Sequence, residues 1–122
     1  MTTLFVDDDE SILAMYDEQC EEAGMENHVL FCTTAHTAME IIAHNRCIEH
    51  VICDGNIPSA YGKFPNKRQG LRVLEYAKKN GIEERWIVSG DIEVQREACA
   101  EGLATRAAAK IDAVKMVKEE LL

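Results

Sequence analysis

No apolar run in this sequence extends beyond a few residues, so none reaches the roughly 20 that a membrane-crossing helix needs. The N-terminus, Met1-Thr2-Thr3, lacks a basic region followed by a long apolar stretch, so no secretory signal is expected. No cysteine pair has C-x-x-C or zinc-site spacing. Cys20, Cys32, Cys47, Cys53 and Cys99 are odd in number and scattered, and they read as reduced cytoplasmic thiols that pack as small hydrophobes. Bases are few, 13 against 22 acids, for a formal net charge of −9. A surface of that sign repels phosphates and argues against direct nucleic-acid binding. Any output is therefore expected to run through another protein.

What is present is 47% hydrophobic residues in 122 positions, enough for one domain over residues 1–122 with a real core. Apolar runs of strand type alternate with amphipathic stretches. Leu4-Phe5-Val6 ends in acids, and Ile12, Tyr16, Cys20 and Ala23 follow at helical spacing, closed by Gly24. Val29-Leu30-Phe31-Cys32 precedes Ala35, Ala38, Met39 and Ile42, one face of a second helix. Val51-Ile52-Cys53 leads to a third helix marked by Leu71, Leu74 and Ala77. Trp86-Ile87-Val88 leads to a short one carrying Val94 and Ala98. Ala107-Ala108-Ala109 is the poorest strand, since alanine has low β propensity. Val114, Val117 and Leu121 give the last helix, with Asp112 expected to cap it.

Five strand–helix repeats predict an α/β fold, a doubly wound, flavodoxin-like, five-stranded parallel sheet of order 2-1-3-4-5 with helices on both faces. Strands that are continuously apolar fit a sheet buried on both sides. All strand C-termini then lie along one edge, where ligands of such folds bind. The residues just past those ends are Asp7-Asp8-Asp9, Asp54, Ser89 and Lys110. Strands one and three are neighbours in this order, so their acids converge. Clustered carboxylates must hold a proton or share a cation. An all-oxygen site open to water suits magnesium, and Ser89 and Lys110 are what an incoming phosphoryl group needs. Asp9 and Glu10 read instead as favourable charge at a helix start.

Val6-Asp7-Asp8-Asp9-Glu10, Cys53-Asp54-Gly55-Asn56-Ile57-Pro58, Val88-Ser89-Gly90 and Lys110, in that order and each after an expected strand, resemble the bacterial two-component response-regulator receiver family, in its stand-alone, chemotaxis-regulator-like form. The resemblance runs from about residue 3 to the end of the chain. It implies that Asp54 is the phosphoacceptor and that magnesium is held by Asp8 directly, by Asp7 mainly through water, by Asp54 and by the Asn56 carbonyl. Ser89 would bond a phosphoryl oxygen and Lys110 would pair with its charge. The donor implied is a sensor histidine kinase, a phosphotransfer protein or a small phosphodonor, and the target is a downstream protein. No output module follows, so a stand-alone relay or sink, or a piece of a longer protein, is expected.

Three positions depart from the family pattern. Ile111 follows Lys110 where relatives usually carry a cis proline. A cis bond costs about 2.5–4 kcal/mol before a non-proline residue, against about 0.5–1 before proline, so either the bond is trans or the fold holds strain. Ala107 stands where relatives carry an aromatic that reports phosphorylation, which leaves coupling to Ser89, Gly90-Asp91 and the helix after them. The stretch Ser59–Gln69 before Gly70 is unusually long and carries Tyr61, Lys63, Phe64, Lys67 and Arg68; it is expected to be a partner-recognition loop. Two other functions share parts of this pattern. A haloacid-dehalogenase-type phosphatase would need an aspartate where Asn56 stands. A pseudo-receiver, an interaction module not regulated by phosphorylation, would keep the fold alone.

Overall fold

A computed structural model describes residues 2–121. Among these, strands β1 (Thr2–Val6), β2 (Val29–Cys32), β3 (Ile48–Cys53), β6 (Glu84–Ile87) and β7 (Arg106–Ala107) form a five-stranded sheet in the order β2-β1-β3-β6-β7. Every pairing is parallel, with Phe5 opposite both Phe31 and Ile52. Counting only these strands, the order is the expected 2-1-3-4-5. The two further strands, β4 (Ile57–Pro58) and β5 (Pro65–Asn66), pair antiparallel as a small hairpin of their own.

Alternation along each strand divides the core in two. Leu4, Val6, Val51, Cys53 and Ile87 face α2 (Ala35–His44), α3 (Lys67–Lys79) and α4 (Ile92–Ala100), meeting Ala38, Leu74 and Ala98. Phe5, Ile52 and Trp86 face α1 (Glu10–Glu22) and α5 (Ala113–Leu121), meeting Tyr16, Cys20, Val114 and Val117. Most of the periodic positions read from the sequence are buried, while Ile12, Ala23, Met39 and Leu121 are only partly so. Of the five cysteines, all free, Cys20, Cys32 and Cys53 pack in the core as expected, while Cys47 and Cys99 are exposed.

Three local expectations are corrected. The Ser59–Gln69 stretch is not an open loop. Pro58 pairs with Pro65 and Ile57 with Asn66, and α3 begins at Lys67 rather than Gly70, capped by Asn66 Oδ1 accepting from Arg68 N–H at 2.9 Å. The last strand is Arg106–Ala107 rather than the alanine run. It is held by an unusual anchor, the buried Arg85, whose guanidinium donates to the carbonyls of Ile82 (2.7 Å), Leu103 (2.8 Å) and Gly102 (3.1 Å). Charge-assisted bonds of this kind replace the β propensity that alanine lacks. Asp112 closes a 3-10 turn (Lys110–Asp112) that runs directly into α5, and no hydrogen bond from its side chain caps that helix among the described residues. The Lys110–Ile111 peptide bond is trans.

Candidate functional site

The sheet ladder continues one step past the strand ends. Asp7 N–H donates to Cys32 O (3.1 Å), Asp54 N–H to Val6 O (2.9 Å), Val88 N–H to Cys53 O (3.0 Å) and Ala108 N–H to Ile87 O (3.0 Å). These bonds fix where each chain segment leaves the sheet, and so bring Asp7, Asp8, Asp54, Ser89 and Lys110 to one edge.

Asp7, Asp8 and Asp54 each offer a carboxylate oxygen, and those atoms lie within 4.8 Å of one another. Asp7 is fully buried, with Oδ1 accepting from Asp9 N–H at 2.9 Å. Asp54 is nearly so, and its Oδ1 accepts from Asn56 N–H at 3.1 Å. Lys110 Nζ donates to Asp54 Oδ2 at 2.9 Å and lies 2.8 Å from Asp7 Oδ2. The latter contact pairs charge, but its geometry is not that of a directed hydrogen bond, and the buried Asp7 Oδ2 receives no other. Asp9 caps α1 as expected, accepting from Ser11 N–H at 2.9 Å. Ser89, buried, accepts from Asp91 N–H at 3.1 Å, and Gln95 of α4 donates to its carbonyl. Ser89 makes no direct hydrogen bond to the acids; it lines a groove that also reaches Lys110.

Electrostatics follow from this geometry. Burial pushes the Asp7 carboxyl above its ordinary value, and Asp54 adds to the push. Asp8 is raised by burial and then by Asp54. Burial alone would lower the Lys110 ammonium, but its close contacts with the Asp7 and Asp54 carboxylates, and their charges, outweigh it and hold it higher. One ammonium therefore faces three crowded carboxylates and touches two of them. That is a donor set of hard oxygens which a small divalent cation fits. The cluster could bind a metal.

Two glycines, Gly55 within the Asp54 motif and Gly70 after the long stretch, shape the site. A Cβ on Gly70 would stand 2.4 Å from Asp54 O and from Gly55 Cα, so α3 touches the backbone of Asp54 itself. A Cβ on Gly55 would stand 2.4 Å from Val94 Cγ1, which brings α4 equally close. Such contacts link residues far apart in sequence, and no local pattern announces them.

Asp8→Asn tests the repulsion directly. A raised carboxyl is protonated more readily in the fold, so its stabilising contribution is complete below its ordinary 3.8 and is lost as pH rises through the folded value. At neutral pH the metal-free fold carries the full penalty. Asp8→Asn should therefore melt a few degrees higher in EDTA at pH 7, with the gain shrinking as pH falls toward 3.8. Melting curves across that range, where an unchanged difference would contradict the reading, provide the check.

No protein-family model matches the sequence, and no curated protein matches it. Solved structures do match, and many of those covering nearly the whole chain are response-regulator receiver domains. One is the signal receiver domain of an HD domain-containing protein from Pseudomonas fluorescens Pf-5, 18% identical, covering 98% of this chain and 93% of that one with a TM-score of 0.75. Another is a CheY-like response-regulator receiver domain from Methylobacillus flagellatus, 18% identical, covering 100% and 98% with a TM-score of 0.74. The chain therefore has the fold of CheY-type receiver domains. A de novo designed Rossmann 2x3 protein matches equally well, at 16% identity, 98% and 90% coverage and a TM-score of 0.75. The fold alone thus leaves the chemistry to be argued from the site.

Proposed function

We propose that this chain is the phosphoacceptor domain of a two-component phosphorelay. In this reading Asp54 takes a phosphoryl group from a sensor histidine kinase, a phosphotransfer protein or a small phosphodonor. The signal leaves by contact with a downstream protein. The reaction is self-catalysed, and the setting proposed is cytoplasmic. The observation that carries the proposal is the convergence of Asp7, Asp8 and Asp54 within 4.8 Å with Lys110 against two of them. A nucleophile, its neighbouring acids and a charge-balancing cation are what aspartyl phosphorylation requires.

Asp54 Oδ1 is held by Asn56 N–H, which orients the carboxylate. Asp7, Asp8, Asp54 and the Asn56 carbonyl would hold magnesium. Bound there, it would offset the repulsion between these acids and an anionic donor. Ser89 would donate its hydroxyl to a phosphoryl oxygen while still accepting from Asp91 N–H, and Lys110 would pair with the charge on the product.

Ser89 also ties the site to α4, through the Asp91 N–H and the Gln95 amide, and Ala107 offers no ring to move. Coupling through α4 follows. Adding magnesium and beryllofluoride to the isotope-labelled protein should shift amide signals at Asp8, Asp54 and Asn56, then at Ser89 and on through residues 92–100. A response confined to the acids, with α4 silent, would remove the switching claim and favour an unregulated interaction module.

A further inference from the structure

Among the described residues, the exposed large hydrophobic side chains are Leu30, Tyr61, Phe64, Ile92 and Ile111. Four of the five border the functional edge, in two groups. Tyr61 and Phe64 stand at the tip of the β4–β5 hairpin, 96% and 93% exposed. The tip is a shaped turn: Lys63 N–H bonds Ala60 O at 3.1 Å, and Gly62 takes a positive φ of 82°. Its base is tied down where Ser59 O accepts from His36 N–H at 2.8 Å. Aromatics held out on a braced turn lie ready for a partner, whereas a loose loop could fold them back.

Ile92 and Ile111 adjoin in sequence the segments that line the second feature, an open groove of about 620 Å³ between the residues after β6, the β7 end and α4. Its walls include Val88, Gln95, Ala107, Ala108 and Ala109. Three consecutive alanines leave space that larger side chains would fill. The groove is mostly apolar, with Ser89 and Lys110 at its inner end.

Charge matches the two features. Residues 55–74 contain Lys63, Lys67, Arg68 and Arg72 and no acid, a local net of +4, so the rest of the chain, given −9 overall, carries −13. Residues 91–101 beside the groove hold Asp91, Glu93, Glu97 and Glu101 against Arg96 alone, a local net of −3. A basic aromatic projection and an acidic-rimmed apolar recess therefore lie on the same edge of one molecule.

We propose that the chain associates with a second copy of itself, the Tyr61–Phe64 tip of each hairpin seated in the Ala107-lined groove of the other. The contact is reciprocal, so it closes as a two-fold dimer. It buries the exposed aromatics against the alanine walls and sets the bases beside α4 of the partner copy. It stands apart from the phosphorylation reading, since neither feature requires Asp54 to react.

Sedimentation velocity over about 5–500 µM, the range in which small interfaces dissociate, should give a monomer–dimer equilibrium that weakens with added salt. Tyr61→Ser/Phe64→Ser removes the projection. Ala107→Tyr fills the groove from an exposed position on an edge strand, where tyrosine is well accommodated. Each should weaken the dimer at least about tenfold. An equimolar mixture of the two variants keeps one intact hairpin and one intact groove, and should associate more tightly than either alone. A monomer at every concentration would overturn the proposal. So would a dimer that only one variant weakens, or a mixture no tighter than its components.

Discussion

Incubated with acetyl phosphate and magnesium, the protein should gain one phosphoryl group on Asp54, and Asp54→Asn should gain none. The Asp54 carboxylate oxygen forms the new bond to phosphorus as the bond to acetate breaks, and acetate leaves with the electron pair. A carboxylate is a modest nucleophile facing an anionic donor, so the barrier is largely electrostatic. Lys110 already lies 2.9 Å from Asp54 Oδ2 and can balance the added charge without a large rearrangement. Asp7 and Asp8 alone would repel the donor, so labelling should fall to background in EDTA. Asparagine keeps the size of Asp54 and the acceptor for Asn56 N–H while removing the nucleophile. Intact-mass measurement of wild type, Asp54→Asn and an EDTA control decides the matter. Labelling that survives in Asp54→Asn would place the acceptor elsewhere, and none from any donor would leave the fold without this chemistry.

Gly70→Ala should be among the most damaging single substitutions in the chain, although it adds only a methyl group. Gly70 lies inside α3, and alanine there would ordinarily gain about 1 kcal/mol through helix propensity. Here the new Cβ would meet Asp54 O at 2.4 Å and Gly55 O at 2.6 Å. Those are backbone atoms held by the sheet and by the Gly70 N–H bond to Gly55 O at 3.1 Å, so neither side can turn away. Overpacking of this kind outweighs the propensity gain, for a net loss of about 2–3 kcal/mol. The helix must move off the β3–β4 link, and Asp54 moves with it. Urea unfolding should show the loss, and magnesium titration of the folded fraction should show weakened binding. A variant within about 0.5 kcal/mol of wild type, the range of ordinary surface changes, would mean that α3 does not press on the Asp54 backbone as described.

Period and position along the sequence determined the fold class. Tyr16 and Cys20 on α1, and Ala35, Ala38 and Ile42 on α2, are buried because a 3.6-residue repeat places them on one face. The same simplicity made the acidic cluster legible. A parallel sheet sends every strand end to one edge, so acids after β1 and β3 had to meet, and Lys110 after β7 could reach them.

Packing between elements was decided only by the tertiary structure. The β4–β5 hairpin rests on two short strands, too brief for any alternation to mark them. The last strand holds because Arg85 buries its guanidinium among backbone carbonyls, a contact that a charged residue in a strand does not advertise. Gly70 matters through its approach to Asp54, and the groove beside Ala107 is open because small side chains line it. A repeat is a property of one segment and is written in its order of residues. Distances between segments depend on how all of them settle together, and those distances set the approach to Asp54, the shape of the groove and the exposure of Tyr61 and Phe64.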